Sequence, residues 1–344
     1  MYAPHGSSLA TLYGDVENYA RGIDIAFPGT AGSVLERRNA GGFRFYARQF
    51  YDGAGKKREQ YLAGPVDDPQ AMKRADETRR KIEELKQVVP HLRLLGREGF
   101  NLVDPKTYAT LASLHNNGLF HAGAVLVGSH AYGALLNQLG ARAAPYATQD
   151  VDIARPTRVA FAKLPGKSFL ETLRESGIAF FEIPQLNKRK PGTSFKEPGR
   201  SFFQVDLLVP SSSNEVRTVP VPELKAHATA LPHLAYLLGE SQDCVVLARE
   251  GCCGVRVPVP ERFALHKLIV SQLRKRRAQK SEKDISQASV LLAILAERHP
   301  GSIETAAKQL PKSTLKHVKV ASVMARRQLG AHPRAIEILD ELKL

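Results

Sequence analysis

Residues 126–132 read Leu126-Val127-Gly128-Ser129-His130-Ala131-Tyr132. The mostly apolar run Ala122–Val127 predicts a buried strand, and the pattern of Ser129–Leu139 predicts a helix. Gly128 permits a close backbone approach, and the Ser129 hydroxyl can cap the helix. Backbone N–H groups at a helix start attract phosphate, so we expect this turn to bind one. The same pair also serves as an ordinary helix cap, so the turn alone does not decide the function.

A second strand carries two carboxylates, Asp150 and Asp152, with one residue between them. Alternate residues of a strand face the same side, which places the two Cα atoms about 6 to 7 Å apart. Magnesium binds hard oxygen ligands of this kind together with the phosphates of a substrate. Exposed strand ends also carry Asp pairs, so the pair gains its meaning from its neighbours.

A third carboxylate, Asp206, lies within the predicted apolar strand Ser201–Val209. Burying a carboxylate without a partner is costly, so we expect a metal ion or a cation beside it. An ion pair with Arg200 is the alternative.

The order of these elements, over about residues 120–210, resembles the nucleotidyltransferase fold of the DNA polymerase beta superfamily. The resemblance implies that Asp150 and Asp152 bind two Mg²⁺ (or Mn²⁺) ions and that Asp206 completes the second metal site. It also implies that Asp206 helps to deprotonate a hydroxyl that displaces pyrophosphate from a nucleoside triphosphate. Asp150, Asp152 and Asp206 are thus the expected catalytic residues and metal ligands. Gly128 and Ser129 are the expected nucleotide-binding residues.

The chain departs from the common pattern of that superfamily in the connection between Ser129 and Asp150, which is longer than usual. The additional residues fall in Gly140–Gln149 and predict a loop that leaves the carboxylates on their strand.

Two later segments, Pro260–Leu268 and Lys283-Asp284, look like the helices that follow the core in bacterial nucleotidyltransferases of the toxin and abortive-infection type, families of unassigned substrate. In those proteins a lysine of the first helix reaches the triphosphate, and Lys267 holds that position here. The alternative is a lysine whose stem packs on apolar neighbours while its amino group reaches water.

The predicted fold class is α/β (α+β): a nucleotidyltransferase core with a mixed sheet at residues 105–258. A hairpin and helix region, 1–104, precedes it, and an α-helical domain, 259–344, follows it. The hairpin, Phe43–Leu62, interleaves basic and aromatic residues, a pattern that suits a nucleic-acid surface. A small amphipathic hairpin packed on its neighbours explains the pattern equally well.

The charge of the chain indicates a polyanionic partner, because 49 Lys and Arg against 34 Asp and Glu give a net charge of +15. RNA is the first expectation, although an ordinary basic surface gives the same excess. The resemblance implies transfer of a nucleoside monophosphate from an NTP to a hydroxyl, and the basic charge makes RNA, at a tRNA-like 3′ end, the expected acceptor. The alternatives are a protein or small-molecule acceptor and a non-catalytic nucleic-acid-binding module.

The sequence shows no signal for insertion into a membrane or for secretion. No run of about 18 apolar residues could span a bilayer, and the first residues do not resemble a signal peptide. We therefore expect a cytoplasmic protein with no membrane partner. The three cysteines, Cys244, Cys252 and Cys253, are an odd number and predict buried thiols rather than a disulfide framework.

Overall fold

The computed structural model describes residues 1–144, 148–156, 166–185, 191–274 and 278–342. Within these ranges the helices are α1 (Ser7–Gly22), α2 (Pro69–Arg97), α3 (Pro105–Asn116), α4 (Gly128–Gln138), α5 (Phe169–Arg174), α6 (Leu234–Leu238), α7 (Pro260–Leu273), α8 (Ala278–Arg298), α9 (Ser302–Lys308), α10 (Leu315–Gln328) and α11 (Pro333–Glu341).

The strands are β1 (Tyr2–Pro4), β2 (Ser33–Arg38), β3 (Arg44–Tyr51), β4 (Lys57–Ala63), β5 (Leu102–Val103), β6 (Val125–Val127), β7 (Ala141–Ala143), β8 (Asp150–Ala154), β9 (Phe181–Glu182), β10 (Ser194–Lys196), β11 (Gln204–Pro210), β12 (Arg217–Val221), β13 (Ala226–Leu231), β14 (Ser241–Ala248) and β15 (Gly251–Pro258). The mixed α/β fold class is confirmed.

The largest sheet is built around β11. One edge of β11 pairs in parallel with β8, and β8 pairs antiparallel with β6. The other edge of β11 pairs antiparallel with β10 and then in parallel with β13. Because β8 and β11 are parallel neighbours, residues at matching positions on them project side by side from one face.

The strand before Gly128 and the helix after it both form, although the strand begins at Val125 and not at Ala122 as predicted. All three residues of β6 are buried, and α4 begins directly after them at Gly128. A short distance upstream, α3 begins with Pro105, and the Asp104 carboxylate accepts hydrogen bonds from the backbone N–H groups of Lys106 and Thr107. This cap satisfies N–H groups that have no partner within the helix.

The connection between α4 and β8 contains an additional strand. Residues 141–143 form β7, which pairs antiparallel with β1 near the N-terminus. The prediction of a plain loop was wrong for this part of Gly140–Gln149, and residues 145–147 lie outside the described ranges. The prediction that both carboxylates stay on a strand is confirmed, because Asp150 and Asp152 belong to β8.

The predicted N-terminal hairpin is present as β3 and β4, and β2 adds a third strand that the sequence analysis did not identify. Arg48 of β3 is completely buried. Its guanidinium lies 4.4 Å from the ring centre of Phe27 and 4.0 Å from that of Phe50, and it donates hydrogen bonds to loop carbonyl groups. Arg48 therefore fastens the loop at residues 27–31 to β3, and its burial keeps it off an exposed nucleic-acid-binding surface.

The cysteines lie in the hairpin of β14 and β15. All three are buried and unbridged, and burial raises the pKa of the Cys244 and Cys252 thiols to about 12. The prediction of buried thiols is confirmed.

The main hydrophobic core spans the boundary predicted at residues 258 and 259. It contains strand residues such as Val151 and Leu207 together with helix residues such as Leu265 and Leu292. The C-terminal helices therefore share their core with the large sheet. No helix in the described ranges is long and apolar enough to cross a membrane.

Candidate active site

The structure brings Asp150, Asp152 and Asp206 to one face of the large sheet. Asp206 of β11 is the register partner of Asp152 of β8, and Gln204 is the partner of Asp150. Since alternate residues of a strand share a face, the three carboxylates project on the same side. The parallel pairing of β8 with β11 thus unites two segments that are far apart in the sequence.

Gly128 lies against this face. Its φ is +72°, a conformation that glycine adopts without steric cost. A Cβ atom at this position would lie 2.2 Å from Oδ2 of Asp152. Any side chain here would displace that carboxylate, so the glycine allows the start of α4 and the acidic strand to meet.

Two of the carboxylates, those of Asp152 and Asp206, lie in surroundings that disfavour their charged form. Burial, with a further contribution from the charge of Asp206, raises the pKa of Asp152 to about 7. Burial also raises the pKa of Asp206, although hydrogen bonds from Ser194 and Gln204 oppose the shift. A bound cation would relieve the repulsion between these carboxylates.

The carboxylates fit a divalent cation by their chemistry. All three offer hard oxygen ligands, and Oδ1 of Asp206 is buried with no hydrogen-bond partner among the described residues. In the described ranges no three His, Cys, Asp or Glu side chains converge closely enough to form a complete metal-binding group. Among the described residues, the three carboxylates of this acidic face therefore do not form a complete metal-binding group on their own.

A cavity of about 640 Å³ adjoins the start of α4. Ser129, His130 and Gln149 line it, and Gln149 directly precedes Asp150. Burial lowers the pKa of His130 to about 4, so its ring is neutral near pH 7. The Nε2 atom of His130 is buried and has no partner among the described residues, which leaves it able to bond to a ligand.

Comparison with known proteins identifies the family of the chain. The sequence model of a family described as nucleotidyltransferase matches residues 106–311, more than half of the chain. The chain belongs to this nucleotidyltransferase family. No curated protein matches this chain. The chain is also similar to a solved structure, that of an antigenic nucleotidyltransferase-like protein from Paracoccidioides brasiliensis. The sequence identity is 14%, the TM-score is 0.36, and the match covers 67% of this chain and 91% of that chain.

Lys267, which the sequence analysis predicted to bind the triphosphate, forms a buried ion pair. Its Nζ lies 2.7 Å from Oδ1 of Asp284, and Nε of Arg274 lies 2.7 Å from Oδ2 of the same carboxylate. The positive charges of Lys267 and Arg274 lower the pKa of Asp152, against the larger effect of burial. Lys267 is therefore electrostatically coupled to the acidic face, and its bond to Asp284 fixes its position.

Two lysines to which the sequence analysis gave no role, Lys280 and Lys283, also interact electrostatically with the carboxylates. The charge of Lys280 lowers the pKa of Asp206. The half-buried Lys283 interacts with Asp150, and burial lowers its own pKa. Both lie in the first turns of α8; Lys280 ends the basic run 274–280, and Lys283 belongs to the segment Lys283-Asp284 that carries part of the resemblance. Residues 275–277 of that run and the basic residues 188–190 lie outside the described ranges.

Proposed function

We propose that this family member transfers a nucleoside monophosphate from an NTP to a hydroxyl group of RNA, with magnesium bound at the acidic face. The observation that carries the proposal is the register pairing of Asp152 with Asp206 beside the backbone of Gly128. Carboxylate oxygens and the N–H groups at the start of α4 lie on two sides of one small region. That combination suits a triphosphate and its metal ion.

The acidic residues would bind the metal ion, and the turn at the start of α4 would bind the phosphates. Asp150, Asp152 and Asp206 would hold the magnesium, which when bound neutralises phosphate charge and orients the reacting oxygens. The backbone at Gly128 and the hydroxyl of Ser129 would bind phosphate oxygens.

The acceptor hydroxyl attacks the α-phosphorus of the NTP. The bond from that phosphorus to the bridging oxygen of the β-phosphate breaks, and pyrophosphate leaves. Oδ1 of Asp206, which has no partner among the described residues, would accept the proton of the hydroxyl.

The lysines of the helical segment supply positive charge opposite the carboxylates. Lys283 and Lys280 interact with Asp150 and Asp206 from the first turns of α8, and the paired Lys267 acts on Asp152 from α7. Charge that develops on the pyrophosphate leaving group would be stabilised by these lysines. The loss of Lys283 should therefore reduce the rate of transfer more than the affinity for the acceptor.

The choice of RNA as acceptor rests on the net charge of +15. A protein or small-molecule hydroxyl would use the same carboxylates, so the acceptor must be tested directly. A non-catalytic binding module is the other class of function, and it predicts RNA binding without transfer.

The test incubates the protein with magnesium, each α-labelled NTP and total RNA or lysate. We expect label in RNA from the wild type, and none from Asp150→Asn or Asp152→Asn. The matched control is Asp15→Asn, which removes an exposed carboxylate on α1 and should keep full activity. Label in protein or in a small molecule instead of RNA would refute the RNA acceptor. No label in any fraction, with NTP binding unaffected by the Asp150 and Asp152 substitutions, would refute the enzyme.

A further inference from the structure

A second cavity, of about 610 Å³, lies where α2 ends. Four arginines line it, namely Arg93, Arg97, Arg142 and Arg249, and none of the described residues that line it is acidic. They come from α2, from β7 and from the turn between β14 and β15. Three separate parts of the chain thus direct guanidinium groups to one concave surface, which we call the arginine pocket.

The charge of the arginine pocket is largely uncompensated. Arg93 forms an ion pair with Glu250 at 2.7 Å. Arg97, Arg142 and Arg249 form no ion pair with any residue that the structure describes, and the segments outside those ranges contain no Asp or Glu. In the hairpin, by contrast, Arg44 and Arg58 pair with acidic side chains and Arg48 is buried.

The arginine pocket has a well-packed base. Gly99 has a φ of +90°, and a Cβ there would lie 2.4 Å from Cδ of Arg142, so the stem of Arg142 crosses the glycine backbone. The next residue, Phe100, is buried and stacks on His5 with ring centres 3.8 Å apart. This packing limits the positions that the Arg142 guanidinium can occupy.

Asn101 and Leu102 also line the cavity beside α4, so the arginine pocket adjoins the candidate active site. Two hydrogen bonds fix this shared wall: the Asn101 N–H donates to Oδ1 of Asn137 at 2.8 Å, and Nδ2 of Asn137 donates to the Asn101 carbonyl at 2.9 Å. Beyond the wall, the cavity reaches Ser129 and Gln149.

We propose that the arginine pocket binds backbone phosphates of the acceptor RNA, while the end of that strand passes along Asn101 to the carboxylate face. This inference rests on the proposed function for the role of the strand end. Guanidinium groups bind phosphate oxygens through paired hydrogen bonds, and several arginines around one cavity suit the repeated charge of a polynucleotide. The pocket lies outside the α4 turn that would hold the triphosphate, so its ligand is the acceptor and not the NTP.

The test measures binding of a fluorescent single-stranded RNA oligonucleotide by anisotropy, without NTP or magnesium, across a range of salt concentrations. The variant is Arg142→Ala/Arg249→Ala. The matched control is Lys319→Ala/Arg327→Ala, which removes the same charge from exposed positions of α10. We expect the pocket variant to bind at least about tenfold more weakly. We also expect its slope of log K against log salt to fall by about 1.4, or about 0.7 for each lost phosphate contact on a single strand.

A melting curve for each variant checks that the fold is intact, and Arg142→Lys/Arg249→Lys should recover part of the affinity because it keeps the charge. The inference fails if the control loses as much affinity as the pocket variant, or if the pocket variant loses none. It also fails if the pocket variant loses affinity for ATP with magnesium instead of for RNA. Because the RNA measurement needs no catalysis, a wild type that binds RNA but transfers no label to it contradicts the proposed function and leaves the arginine pocket supported.

Discussion

Loss of the Asp284 carboxylate should destabilise the packing of α7 against α8, because two cations, Lys267 and Arg274, pair with it. Its side chain is only 3% exposed and bonds to Lys267, which is 10% exposed, and to Arg274, which is 32% exposed. Asp284→Asn preserves the shape of the side chain but removes its charge, so the buried ammonium group of Lys267 loses its counter-charge. Breaking a buried ion pair in this way costs about 3 to 5 kcal/mol. Arg274 can be hydrated, so we expect about 3 kcal/mol.

Urea unfolding at pH 7.5 in EDTA measures this free energy. The control is Asp340→Asn, which breaks an ion pair between Arg326 and a carboxylate that is 56% exposed, and should cost less than about 1 kcal/mol. Lys267→Met in the Asp284→Asn background removes the unpaired charge and should recover about half of the loss. The reasoning is refuted if Asp284→Asn costs no more than the control, or if Lys267→Met recovers nothing.

Three further outcomes are expected. Gly128→Ala should destabilise the protein by more than about 1 kcal/mol, because residue 128 has a positive φ and an added Cβ would clash with the Asp152 carboxylate. A double-mutant cycle should show a smaller cost of Gly128→Ala in an Asp152→Ala background, where that carboxylate is absent. Asp152→Asn should raise the melting temperature at pH 8 in EDTA, where Asp152 is ionised and repelled by Asp206, and Asp15→Asn should not. Burial lowers the pKa of His266 to about 3. Between pH 6 and 4 the imidazole therefore binds a proton only in the unfolded chain, so the free energy of unfolding decreases as the pH is lowered. Over that range the wild type should lose about 1.4 kcal/mol per pH unit more than His266→Gln in urea unfolding, and parallel pH profiles would contradict this.

The elements around the acidic face were predictable because their signals are local. A glycine after an apolar run marks the end of β6, and the spacing of Asp150 and Asp152 fixes their common face as soon as β8 is a strand. The position of Asp206 beside Asp152 depends on the register of two strands distant in sequence, which no local pattern encodes. Its isolation in an apolar strand indicated only that a partner was needed.

The residues that the sequence analysis misjudged are those whose role depends on tertiary packing. Arg48 is interleaved with aromatic residues in a pattern that looks exposed, and it shares a strand face with Tyr46 and Phe50. Arg44 lies on the same face and is exposed, so strand parity alone does not encode the burial of Arg48. Lys283 faces the carboxylates because α8 packs against α7, and helical periodicity alone does not give the direction of a helix face relative to a sheet.

The core that the large sheet shares with the C-terminal helices has a consequence for dissecting the chain. A fragment that ends at residue 258 would expose to water the apolar side chains that Leu265, Leu268 and Leu292 cover. It should aggregate, or expand into a loosely packed globule, instead of folding autonomously. Calorimetry of the intact chain should show the sheet and these helices melting in one cooperative transition, with equal calorimetric and van't Hoff enthalpies.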